Sequence, residues 1–207
     1  MQKNKLYLYP VWVRLWHITN ALLCLILILS GISMQYSNPA YPFLRFDLAV
    51  SMHNIGGMVL TLSYAMFFIG NLTTSNGKHY RLRLKGLIKS LLKQATYYAF
   101  GIFKGETAPF PVSKEMKFNP LQKFTYSIAM YVFLPLVFIS GWALLYPETI
   151  ITNFLGFSGI QLTSLLHVTT GFLISLFLII HLYFCTIGHT FLSNFKSMIN
   201  GYHEPHK

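Results

Sequence analysis

The sequence predicts an all-α integral membrane fold, a four-transmembrane-helix bundle with an interfacial amphipathic helix in its longest loop. Three observations predict it. The chain of 207 residues is 54% hydrophobic and only 10% charged, with a mean hydropathy of +0.49, too apolar for a water-soluble domain. Four windows reach the length of about 20 apolar residues that a helix needs to cross a bilayer. The basic residues gather in the segments between alternate windows.

The first window runs from Val13 to Met34. Lys3 and Lys5 before it imitate the charged start of a secretory signal, but the apolar run is longer than a typical signal core and no A-x-A-like site follows, so a retained helix is expected. The second window is Leu48 to Leu72, the third Lys123 to Tyr146 and the fourth Leu162 to His189. Pro135 inside the third predicts a kink. In the loop of about 73–119, Leu84, Leu87, Ile88, Leu91, Ala95 and Tyr98 recur at helical spacing beside a stripe of Lys85, Lys89 and Lys93. Such a stripe weakens a helix in water and favours an anionic lipid surface, so the segment is expected along the cytoplasmic interface, with a soluble docking partner as the alternative. Trp12, Trp16, Trp142, Tyr146 and the Tyr36/Tyr41 pair fall where aromatic belts form. All 207 residues are expected to form one membrane domain.

A formal charge of +11 invites a nucleic-acid reading, but ten of the sixteen Lys and Arg lie between Lys78 and Lys123, and Arg45 alone falls in a segment on the other side. The positive-inside rule accounts for this pattern and places both termini and the long loop in the cytoplasm; nucleic acid is not an expected partner. Cys24 and Cys185 should sit at different depths, which disfavours a disulfide. No C-x-x-C-H and no thiolate cluster occurs, so a bound metal must rely on histidine.

His167 and His181 share the fourth window, fourteen positions apart. At 100° and 1.5 Å per residue the second ring returns to within roughly 40° of the first, about 21 Å further along the axis. Intramembrane ionisable groups are costly and usually functional, although a lone histidine is often only a hydrogen-bonded core residue. With His17 near the inner start of helix one and His53 near the outer start of helix two, the rings fall into two level pairs, His17 with His181 and His53 with His167. Two bis-imidazole sites in a helical bundle suit two b-type haems. Helix three, without histidine, would serve as a wall. Gly56 and Gly57 follow His53 by three and four positions and Gly171 follows His167 by four, on the ligand faces, where they serve either a flat macrocycle or close helix packing. Arg14, one turn before His17, and the solitary Arg45 are candidates for the haem propionates, with headgroup anchoring as the ordinary role. His79, His203 and His206 lie in loops or the tail; His189, at the inner end of helix four, is a headgroup-level residue or a proton relay.

The opening Tyr9-Pro-Val-Trp-Val-Arg-Leu-Trp-His17, with Ser30-Gly31 near the end of the first window, resembles the start of the di-haem cytochrome b subunits of Ni-hydrogenases, thiosulfate reductases and respiratory formate dehydrogenases, relatives of bacterial cytochrome b561. The likeness covers almost the whole chain, including the fourteen-residue histidine step. Phe118-Asn119-Pro120-Leu121-Gln122-Lys123 resembles the F-N-x-x-Q-K segment of the formate dehydrogenase subunits, which implies that Asn119 hydrogen-bonds a quinone carbonyl with His181 adjacent. Leu121 stands where that pattern often has Gly, and Asn before Pro is equally an expected N-cap.

The resemblance implies a protein of the bacterial inner membrane that binds two haem b groups. It would carry electrons between a periplasmic partner subunit bearing haem, iron-sulfur, molybdenum or nickel centres and a quinone, menaquinone or ubiquinone. The substrate-specific reaction would belong to another chain, and a homo-oligomer within the complex is left open. Two alternatives accompany it: a free-standing quinol-oxidising cytochrome of the b561 kind, and a haem-free carrier or adaptor of metal ions.

Overall fold

The computed structural model describes residues 5–38, 40, 42–188 and 190–203. Lys3, Tyr41, His189 and His206, each singled out above, lie outside the described residues.

Four helices are long and apolar enough to cross a membrane: α1 (Val11–Gln35), α2 (Phe46–Thr73), a third span over Pro120–Leu145, and α6 (Gly159–Thr186). Each begins two or three residues before its hydrophobic window. The added residues, such as Phe46-Asp47 and Pro120-Leu121-Gln122, belong to first turns whose start is set by local capping and backbone geometry, which a hydropathy window does not register. Asp47 in the first turn of α2 complements the helix dipole there.

The third span starts at a capping box: Asn119 Oδ1 accepts from the Gln122 backbone N–H, the Gln122 side chain accepts from Asn119 N–H, and Pro120 occupies the first turn. It continues as α4 (Pro120–Ile128), a π turn over Ala129–Phe133, and α5 (Leu134–Leu145). The register change lies immediately upstream of Pro135. Proline has no N–H to donate, and its ring crowds the carbonyl four residues earlier, at Tyr131. The expected irregularity is therefore a π turn before the proline. In the long loop the amphipathic segment is helical as α3 (Leu87–Thr96), followed by a π turn over Tyr97–Gly101.

Burial along the spans is inverted relative to a soluble protein. Leu15, Leu62, Ile139, Leu165, Phe172 and Ile179 are exposed, whereas Ser30, Ser140 and Thr170 are buried. Apolar surface outside and polar groups inside is the arrangement that lipid as solvent selects.

The chain divides into two compact units, to each of which every long helix contributes one segment. The first comprises Met1–Arg14, Gly70–Tyr131 and Phe177–Lys207. In it β1 (Leu6–Tyr7) pairs antiparallel with β4 (Tyr202–His203), and α7 (Ser193–Asn200) ends at Gly201, whose φ of 85° suits glycine. Arg14 Nη1 donates to the Ile199 carbonyl in α7. The second unit comprises Leu15–Ile69 and Val132–Leu176. There Trp16 stacks on Phe67, and the Trp142 indole donates to Thr61 at 3.2 Å. A hairpin of β2 (Asn153–Phe154) and β3 (Phe157–Ser158) turns through Leu155 and Gly156, both at positive φ, the conformation of a two-residue hairpin turn.

Candidate functional site

Within the second unit, α2 and α6 bring His53 and His167 together with ring centroids 6.1 Å apart and planes at 73°. Each ring is held by a serine. Ser30 Oγ lies 3.1 Å from His53 Nδ1, and Ser140 Oγ lies 3.0 Å from His167 Nδ1. Both hydroxyls also bond backward along their own helices, Ser30 to the Ile26 carbonyl and Ser140 to the Leu136 carbonyl, each at 2.7 Å. A hydroxyl has one proton, and a carbonyl can only accept, so that proton is committed to the backbone and the serine oxygen must accept from the ring. Nδ1 therefore carries the imidazole hydrogen in both residues, and Nε2 is left with a free lone pair. That is the tautomer of a metal-binding histidine whose other nitrogen is oriented by a neighbour.

The residue after each serine is glycine, and the spacing explains it. A Cβ on Gly31 would stand 3.3 Å from His53 Cε1, and one on Gly141 would stand 3.0 Å from His167 Cε1. The repeated Ser-Gly thus supplies one acceptor and one clearance per ring. Gly57 and Gly171 behave differently: a Cβ at either would meet nothing within 4 Å, so open space lies beside them on the helices that carry His53 and His167.

Two imidazoles sharing one metal would have ring centres about 6 Å apart, given metal–nitrogen bonds of about 2 Å and roughly 1 Å from each nitrogen to its ring centre. The observed 6.1 Å matches. No group of three or more His, Cys, Asp or Glu able to hold a metal ion occurs among the described residues. A metal held by these two imidazoles would take its remaining ligands from outside the described side chains, and a haem macrocycle is one group that could supply them.

In the first unit, His181 of α6 is packed by aromatic rings. Phe177, one turn earlier, lies nearly parallel at 12° with a centroid distance of 5.8 Å, and the Tyr126 hydroxyl of α4 is 3.2 Å from His181 Nδ1. Nε2 faces Cys185 Sγ at 3.7 Å. Asn119 is buried; besides its capping bond, its amide nitrogen donates to the Tyr98 hydroxyl at 2.8 Å, and the Tyr98 ring packs against Phe184 of α6 at 4.7 Å. Arg14 keeps a buried Nε–H with no acceptor among the described residues. In the second unit, His17 is half-buried on α1, one residue after the stacked Trp16. Arg45 does not stand alone as its sequence position suggests: its guanidinium binds Asp47 at 2.7 and 3.2 Å.

The sequence profile of the prokaryotic cytochrome b561 family matches residues 8–201. The chain belongs to that family. The cytochrome is also 39% identical over 201 residues to a protein of Escherichia coli K12 named "Putative cytochrome YdhU", covering 97% of this chain and 76% of that one. No solved structure matches it. Family membership makes it a membrane cytochrome that binds haem b and transfers electrons, and answers the haem-free alternative.

The third span does more in this cytochrome than the wall its lack of histidine suggests, since it delivers Ser140 and Gly141 to His167 and Tyr126 to His181. The signal for the first two was present in the sequence: Ser140-Gly141 repeats Ser30-Gly31. Tyr126 had none, as one of 13 tyrosines.

Proposed function

We propose that this cytochrome would hold two haem b groups, one through His53 and His167 and one, by the matched depths of the two residues in the sequence, through His17 and His181, and that it passes electrons between an outer-side redox partner subunit and membrane quinone. The observation that carries the reading is the His53–His167 pair, at the separation that two imidazoles sharing one metal would have and with both Nε2 atoms free by tautomer.

Haem, when bound, supplies reversible one-electron storage at its iron. The chain's own residues do the rest. Ser30 and Ser140 orient the outer ligands and raise their basicity by accepting from Nδ1. Gly57 and Gly171 leave room for the macrocycle. Tyr126 orients His181, and the buried Nε–H of Arg14 awaits an anionic acceptor such as a propionate. Arg45 spends two of its five N–H donors on Asp47 and retains others for the outer propionates. At the inner site, Asn119 keeps one amide hydrogen beyond its bond to Tyr98 and offers it to a quinone carbonyl beside His181. Quinone reduction would take up, and quinol oxidation release, two electrons and two protons; in either direction the protons would exchange with the side to which the positive-inside rule assigns the long basic loop, the cytoplasm.

The test is haem per polypeptide by pyridine haemochrome on the purified chain. Two haems b are expected in the parent and one in each of His17→Ala, His53→Ala, His167→Ala and His181→Ala. His53→Ala and His167→Ala should lose the same spectral component. A parent with a single haem, or loss of different components by those two variants, would overturn the pairing.

A further inference from the structure

Beside the ends of the spans, in the first unit, lies a cavity of about 240 Å³ that the electron-transfer reading leaves unused. Its lining brings together Lys78, Lys114 and Lys117 with His79. None of the three lysines makes an ion pair with a described carboxylate. The exposed Glu115 carboxylate is held below its ordinary range by hydrogen bonds from its own backbone N–H and from Ser113 at 3.0 Å, and then by the charges of Lys78 and Lys114, so it offsets part of the charge of those two lysines.

Lys117 is the informative member. It is buried at 3% exposure, and among the described residues its ammonium has one oxygen acceptor, Asn76 Oδ1 at 3.2 Å, with the Tyr9 and Phe118 rings covering it at 4.5 and 5.3 Å. Asn76 is in turn fixed to Asn71 Oδ1 at 2.7 Å. A buried cation held by one neutral amide is costly unless another partner arrives. Neighbouring cations add to this field: burial first, then Lys117, Lys78 and Lys123, push the His79 imidazole down to about 4. The cavity is thus electropositive, and it carries a hydroxyl at Ser75 and, at Asn76, an amide with one hydrogen beyond its bond to Asn71.

Its position says where the ligand comes from. Trp12 on the lining is the second residue of α1, Thr74 follows the last residue of α2, and Lys117 precedes α4 by three positions. Three span ends therefore border the cavity, at the level where phospholipid headgroups lie.

We infer that this cavity is a binding site for a phosphate-bearing anion, with the headgroup of an acidic phospholipid as its source, held by Lys78, Lys114 and Lys117. An anion there supplies the counter-charge that Lys117 lacks and pins the loop preceding α4 against the start of α1.

The experiment uses the full chain in detergent, with lipid retention counted by native mass spectrometry after exposure to phosphatidylglycerol or phosphatidylcholine. Lys78→Gln/Lys114→Gln removes two exposed cations without opening the core; Lys85→Gln/Lys89→Gln beside and on α3 removes two cations elsewhere. The parent should retain phosphatidylglycerol over phosphatidylcholine, the cavity variant should lose that preference by about tenfold or more, and the α3 variant should keep it. A parallel titration with inorganic phosphate separates the sources. Displacement of the lipid by phosphate shows that the phosphate group itself is recognised; no displacement, with the cavity variant still deficient, shows that the glycerolipid is required. Equal retention of both lipids by the parent, or parental retention in the cavity variant, overturns the site.

Discussion

Ser140 receives the Nδ1 hydrogen of His167 at 3.0 Å while its own hydrogen is engaged by the Leu136 carbonyl, and Ser30 repeats this arrangement with His53. The two serines are consequently positioning groups for the same proposed metal. Ser30→Ala and Ser140→Ala should each weaken haem retention about 10–100-fold and raise the midpoint potential of one haem, because an imidazole without its acceptor is a poorer donor to ferric iron. Ser→Thr at either position should restore both. Haem transfer to apomyoglobin and a potentiometric titration read these effects; unchanged potentials in both alanine variants would remove the serines from the site.

Glycines near the histidines should separate by what lies beside them. Gly141→Ala forces a methyl to 3.0 Å from His167 Cε1, an overpacking cost of about 1–3 kcal/mol that should appear in the thermal unfolding of the haem-free chain. Gly57→Ala and Gly171→Ala meet no protein atom within 4 Å. They should leave the haem-free chain as stable as the parent and lower haem incorporation instead. Normal haem content in both would show that the open space is not occupied by the macrocycle.

Asn119 has two separable duties. Asn119→Ala deletes the cap and should destabilise the chain by about 0.5–2 kcal/mol. Asn119→Asp keeps the capping oxygen and loses the amide donor now given to Tyr98. Rapid-mixing oxidation of the reduced haems by a quinone analogue should be slow in both variants, with unfolding affected mainly in the first. Parental rates in Asn119→Asp would confine Asn119 to capping.

Burial pushes the Lys117 ammonium down to about 8 from its ordinary 10.5. Below pH 8 both folded and unfolded chains hold this proton, and the cost of burying it is present in full. Between about 8 and 10.5 the unfolded chain binds the proton more than the folded one, so stability rises with pH. Above the ordinary tyrosine value of 10.0, Tyr80, raised by its burial, begins to act with the opposite sign. A thermal-unfolding series from pH 8 to 10 should therefore slope upward in the parent and lose much of that slope in Lys117→Met. Identical slopes would refute the assignment.

The spans and the four intramembrane histidines were legible because apolar length and helical spacing are properties of the chain alone. The Asn119-Pro120 cap was legible for the same reason, its chemistry being local. Tyr126 was not: its role depends on α4 meeting α6, which no spacing encodes. Arg45 reads as solitary when charges are sorted by span, since Asp47 falls inside α2, yet two residues of separation suffice for a bidentate contact. Two-residue strands such as β1 and β4 are too short to show any periodicity.

That last pairing sets an order of events. Leu6 bonds opposite His203, 197 positions later (203 − 6), and Tyr7 opposite Tyr202. During synthesis the leading segment has no partner until residues 202–203 have left the ribosome, so the ribbon can close only after α6 has been made. Its formation therefore reports that α6 and α7 are already in place, and a tag that blocks either strand should leave insertion of the four spans intact while preventing this clasp.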